Sequence, residues 1–142
     1  MKKTILLVAF GLVAITVNAQ KVKEENVPTS IKTTFTKIYP STKVEGWVKE
    51  NGNYEAEFDY NKKEMSVLID ANGNITETET EIAVSELSKT ITDYCAKNYA
   101  GKKIKEAAKI VDAKGIVTYE AEINKTDVLF DASGTFIKET KD

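Results

Sequence analysis

The feature that most constrains this chain is that it repeats itself. Tyr54-Glu55-Ala56-Glu57-Phe58 returns as Tyr119-Glu120-Ala121-Glu122-Ile123. Val67-Leu68-Ile69-Asp70-Ala71-Asn72-Gly73 returns as Val128-Leu129-Phe130-Asp131-Ala132-Ser133-Gly134. Tyr39 and Val44 have counterparts in Tyr99 and Ile104, so three matches run in one order at offsets of 60, 65 and 61 residues. Only loop lengths differ between the copies, which is the signature of one supersecondary unit used twice.

Each copy opens with a helix. Ile31, Phe35 and Ile38 recur at helical spacing after Pro28, and Pro40 ends the run. Leu87, Ile91, Tyr94, Cys95 and Asn98 trace the matching stripe, with Ser85 as its expected N-cap and Gly101 as its stop. Strands follow. Asn51-Gly52 and Lys114-Gly115 separate the first two of each copy, and the Asp-Ala-x-Gly segments separate the third and fourth. The expected fold is α+β: two tandem α-β-β-β-β repeats, with two helices on one face of an antiparallel sheet of about eight strands. Residues 27–82 and 83–142 are the expected repeats, forming one compact domain after a short lead over 20–26.

The chain begins with an expected export signal, residues 1–19. Lys2 and Lys3 are followed by an apolar run from Ile5 to Val17, and Val17-Asn18-Ala19 offers small residues for cleavage after Ala19. That run is short for a membrane span, and no Cys near the cut invites a lipid anchor. The reading predicts a periplasmic or secreted protein with Gln20 as its first residue and no stable membrane anchor.

Composition then narrows the function. The sequence contains no His, and all of its basic residues are Lys. Imidazole general bases, Ser-His or Cys-His pairs and His metal ligands are thereby excluded. Without Arg, no bidentate phosphate or carboxylate clamp exists, and past Ala19 there are 18 Lys against 22 acids. An acidic chain of this kind is a poor nucleic-acid binder. A single cysteine, Cys95, leaves no internal disulfide; it falls on the apolar helix stripe and reads as a core thiol, with an intermolecular disulfide as the alternative.

Strand parity assigns faces. Tyr54, Ala56, Phe58, Met65, Val67 and Ile69 are expected to meet the helices, as are Tyr119, Ala121, Ile123, Val128 and Phe130. Val44 and Val48 join them, which sends Trp47 outward. The uncovered face is then expected to carry Trp47, Leu68 and Leu129 among Glu55, Glu57, Glu120 and Glu122. An aromatic anchor among apolar and charged groups suits a protein partner, and Trp47 matches Ala107 in the second copy, so the anchor is confined to one repeat. The same glutamates raise two alternatives: an acid–base pair, and a divalent-cation or small-ligand site. An open face offers nothing to separate their proton affinities, so no catalytic residue and no cofactor is assigned. Asp70 to Glu81 fits a calcium loop poorly, since Gly73 comes two places early, and it reads as a turn. Parity leaves the faces of Glu77, Glu79 and Glu81 open.

These elements resemble the PepSY-like, beta-lactamase-inhibitor-like family of bacterial exported proteins. The matching residues are Val27-Pro28 and Ile31, the Tyr54 to Phe58 strand, the Asp70 to Gly73 turn and their second copies. The resemblance implies a tandem helix-plus-four-strand architecture like that of secreted beta-lactamase inhibitor proteins, which grip their target with the open sheet face. It also implies an exported protein partner, in particular a hydrolase of the peptidase or beta-lactamase type. The chain departs from those inhibitors in lacking disulfides.

Overall fold

The computed structural model describes residues 19–141, so the expected signal before Ala19 lies outside the described residues. The chain divides into two compact units between Thr76 and Glu77.

The first unit begins with β1 (Gln20–Val22) and a 3-10 turn over Glu24–Asn26, in the stretch expected to be a plain lead. Helix α1 (Thr29–Ile38) follows, then β2 (Val44–Glu50), β3 (Asn53–Tyr60), β4 (Lys63–Ile69) and the start of β5 (Ile75–Ile82). β1 to β4 pair in chain order, each antiparallel to the next. Two-residue turns make this compact: Asn51 and Gly52 both take positive φ, as do Asn61 and Lys62. That is the type I′ geometry whose twist suits a hairpin. α1 lays Ile31 and Phe35 on the sheet, where Val27, Trp47, Tyr54, Ala56, Phe58, Val67 and Ile69 complete the buried core. Ile38, expected on the buried stripe, is the last residue of α1 and is 49% exposed.

The second unit holds the rest of β5, a 3-10 turn over Val84–Glu86 and α2 (Lys89–Asn98). Then come β6 (Glu106–Asp112), β7 (Val117–Glu122), β8 (Thr126–Asp131) and β9 (Phe136–Lys141). β5 to β9 again pair antiparallel in chain order. The core is Leu87, Ile91, Cys95, Ala107, Ala121, Ile123, Val128 and Phe130. Nine strands are thus seen among the described residues against about eight expected, β1 being the addition.

Local chemistry explains the ends of the elements. Ser88, not Ser85, caps α2: its hydroxyl accepts from the Ile91 N–H, while Ser85 lies inside the preceding 3-10 turn. Glu86 in that turn accepts from the Ala83 N–H at 2.8 Å. Asn98, placed on the α2 stripe by spacing, is exposed and donates back to the Tyr94 carbonyl at 2.9 Å. Asp70 Oδ1 accepts from the N–H groups of Asn72 and Asn74, and Asp131 Oδ1 from those of Ser133 and Thr135, all at 2.9 Å. Gly73 and Gly134 close these turns with N–H bonds to the Asp carbonyls at 2.9 Å. Asp112 does the same for Lys114 and Ile116. The glycines are required there, since both sit near φ +85°.

Candidate partner-binding face

The residues of interest lie on the strand faces turned away from the helices, and the strand registers decide which they are. In the first unit Lys21, Val48, Glu55 and Leu68 stand directly opposite one another on β1 to β4 and form one row. Gly46, Glu57 and Ser66 form the next. Glu55 and Leu68, separated by thirteen positions in sequence, are thereby brought side by side, as parity predicts.

Trp47 does not belong to this face. Val44 pairs with Phe58 but Gly46 pairs with Glu57, so one extra residue is accommodated in β2 beside Glu45. The bulge turns the strand over by one step, and Trp47 comes to lie with Ala56 under α1 while Val48 faces away. Trp47 is 5% exposed, and its ring meets that of Phe35 edge-on at a centroid distance of 6.1 Å. Among the described residues its Nε1–H is buried without a hydrogen-bond partner. The aromatic anchor expected on the surface is a core residue.

The glutamates are less solvated than an open face implies. Glu55 and Glu50 are each 7% exposed, and Glu57 is half-buried. Burial pushes the Glu50 carboxyl above its ordinary range. It does so for Glu57 too, where the Lys21 ammonium opposes the shift and Glu45 adds to it. The Glu57 carboxylate lies over Gly46, where a Cβ would stand 2.7 Å from Oε2. Leu68 is partly exposed, and the Thr76 hydroxyl donates to its carbonyl at 3.2 Å.

In the second unit the corresponding row is Ala108, Glu120, Leu129 and Lys138, across β6 to β9. Glu122 and Asp127 stand opposite one another in the next row. Here the expectation of an exposed face fails. Glu120 and Leu129 are each 1% exposed, and Glu122 5%. These strands are flanked on both sides, and Leu129 has Glu120 and Lys138 as direct neighbours. Lys105 bridges Glu106 and Glu122 at 3.5 Å each, and those carboxylates raise its ammonium above the ordinary lysine range.

The open question of β5 is answered by register. Glu77, Glu79 and Glu81 pair with Asp112, Ile110 and Ala108, so they share the second unit's helix-remote face. Ile82 pairs with Ala107 and packs on the second core, while Ile75 packs on the first. Among the described residues no three carboxylate or thiol groups are spaced to hold a metal ion. Cys95 is a free, buried thiol whose proton affinity burial raises. Sequence reasoning missed Lys21, Val48 and Glu50 as members of the first unit's face, because each depends on β1 or on the bulge. It also missed the bond from the Tyr99 hydroxyl to Glu139, which ties the C-terminal end of α2 to β9.

The fold defines a class: an antiparallel α+β protein of the BLIP-like fold. Three solved Bacteroides structures that share it are similar to this chain. A "putative periplasmic" protein of Bacteroides eggerthii is 15% identical, with a TM-score of 0.71 over 80% of this chain and 88% of that one. A DUF2874 family protein of Bacteroides uniformis is 18% identical, with a TM-score of 0.69 over 80% and 88%. A BLIP-like protein of Bacteroides fragilis is 19% identical, with a TM-score of 0.61 over 80% and 84%. Curated proteins give no match. The family model described as "Putative beta-lactamase-inhibitor-like, PepSY-like" matches residues 13–77 and 53–138, and the chain belongs to that family. Among the described residues no helix is long and apolar enough to cross a membrane.

Proposed function

We propose that this is an exported, non-enzymatic binding protein that takes a protein partner on the helix-remote strand face, and that the partner is a periplasmic or secreted hydrolase of the peptidase or beta-lactamase type. The observation that carries the reading is Leu68, partly exposed at the end of the row Lys21–Val48–Glu55–Leu68, in which Val48 and Glu55 are themselves buried. A partly exposed Leu68, directly opposite Glu55 and diagonal to the half-buried Glu57, gives a partner an apolar contact with a charged border, the arrangement of a protein interface. Family membership and the leader-like first nineteen residues support an exported partner. The chemistry for catalysis is poor: there is no His and no Arg, and Glu57 shares its row with Gly46 and Ser66 rather than with an acid–base partner. Glu120, Glu122 and Leu129 form the equivalent face of the second unit, and we read the two units as copies of one ancestral α-then-β element. Their ten-residue helices begin 60 positions apart, each after a 3-10 turn.

The test is inhibition. The protein beginning at Gln20 is titrated against a panel of purified periplasmic beta-lactamases and peptidases, beside a Leu68→Asp, Glu57→Lys double variant. Inhibition of at least one enzyme, lost in the variant while its melting curve is unchanged, is the expected result. Equal inhibition by both proteins would remove this face from the proposal, and none across the panel would remove the hydrolase.

A further inference from the structure

β1 begins with a residue that the proposed partner face does not use. Gln20 is its first residue, is exposed, and stands directly opposite Lys49. Lys21 and Lys23 follow it, and Lys23 meets Glu25 at 3.8 Å. Lys49 lies 5.5 Å over the Tyr54 ring. Gln20, Lys21, Lys23, Glu25, Lys49 and Tyr54 line an open groove of about 390 Å³, whose three lysines outnumber its one carboxylate.

We propose that Gln20 is a modification site: once the chain is cut after Ala19, the Gln20 α-amine closes on its own side-chain amide, and the exported protein begins with pyroglutamate. The α-nitrogen attacks Cδ, the N–Cδ bond forms and the Cδ–Nε2 bond breaks. The amine proton moves to the departing nitrogen, which leaves as ammonia, and no electrons are transferred to or from a second reactant. The inference rests on the export reading and on three observations. Gln20 supplies a side chain whose carbonyl carbon reaches its own α-amine in a five-membered ring, with ammonia rather than hydroxide as the leaving group. That side chain stands in solvent rather than in the core. The amine emerges among Lys21, Lys23 and Lys49, and like charges disfavour the ammonium form, leaving more of the nucleophilic free amine near neutral pH. Ring closure also removes one positive charge from the groove and shields edge strand β1 from aminopeptidases.

The full chain, expressed with its own first nineteen residues in an exporting bacterium, is harvested from the periplasm and its intact mass read at once. The expected mass is that of residues 20–142 less about 17 Da, the loss of one ammonia. The N-terminal peptide should resist Edman degradation until treated with pyroglutamyl aminopeptidase, and Gln20→Ser should begin with a free amine. An unshifted mass starting at Gln20 would overturn the cyclisation and leave the export reading standing. A different first residue would overturn the cut after Ala19, and the cyclisation with it. Lys49→Glu should cyclise several-fold more slowly in a timed incubation, and an unchanged rate would overturn the part assigned to the groove.

Discussion

Trp47 meets Phe35 edge-on, the two planes inclined at 72°, and this contact joins β2 to α1 in the first unit. Trp47 is the chain's single tryptophan, so its emission reports that core alone. The native spectrum should be blue-shifted and should move red on unfolding. Trp47→Ala should cost about 3–5 kcal/mol of stability in urea titration. Trp47→Phe should cost less, because it also removes a buried N–H with no acceptor, a defect worth about 1–3 kcal/mol. A Trp47→Ala protein as stable as the parent would contradict the buried placement.

Gly134 and Gly115 test the turns against each other. Both have positive φ, but a Cβ at Gly134 would lie 3.0 Å from the Ser88 hydroxyl and from Thr90, whereas one at Gly115 meets nothing within 4 Å. Gly115→Ala should carry only the backbone strain, roughly 1 kcal/mol. Gly134→Ala adds the crowding of the α2 N-terminus and should melt clearly lower. Equal melting temperatures would show that the start of α2 yields freely.

The cap of α2 separates two serines three residues apart. Ser88→Ala removes the acceptor for the Ile91 N–H and should cost about 1 kcal/mol. Ser85→Ala should stay within about 0.5 kcal/mol of the parent in the same denaturation experiment. A reversed order would place the cap at Ser85 after all.

Acid should act on the Asp turns. Backbone N–H groups of the Asn74 loop hold the Asp70 carboxyl below its usual 3.8, and the Ser133 hydroxyl, with the Thr135 N–H, does the same for Asp131. A carboxyl lowered in the folded state stabilises it at pH above the ordinary value, and that contribution fades as pH falls through the lowered one. Asp70→Ala and Asp131→Ala should therefore melt below the parent at pH 7, with the gap closing toward pH 2. Glu57 has the opposite sign. Its raised carboxyl favours the fold while protonated, and that advantage is lost as pH rises from 4.5 through the raised value. Glu57→Gln should thus be at least as stable as the parent at pH 7.

Cys95 is 3% exposed in the second core, and its raised proton affinity leaves little thiolate. A disulfide reagent should label the native protein slowly and the urea-unfolded protein fast. Rapid native labelling, or a dimer that reductant dissolves, would favour the intermolecular disulfide.

How much was legible beforehand depended on the range of the interaction. Tyr54, Ala56 and Phe58 alternate with Glu55 and Glu57, and no bulge interrupts β3, so parity alone placed all five. The Asp70 and Asp131 turns were legible because an Asp side chain bonds backbone groups two and four residues on. Trp47 was misplaced because parity counts every residue, and the count fails where two residues of one strand face one of its partner. Ser88 was missed because the 3-10 turn before α2 displaces the helix start.

The sequence by itself determined the two α-then-β segments, the turn positions and the absence of imidazole and guanidinium chemistry, since these follow from residue identity and local spacing. Only the tertiary structure decided which side of β2 carries Trp47, that the N-terminal lead becomes β1, and that Glu120 and Leu129 are buried. Those outcomes depend on cross-strand register and on neighbours remote in sequence. One inserted residue is enough to exchange the core face of a strand for its outer face.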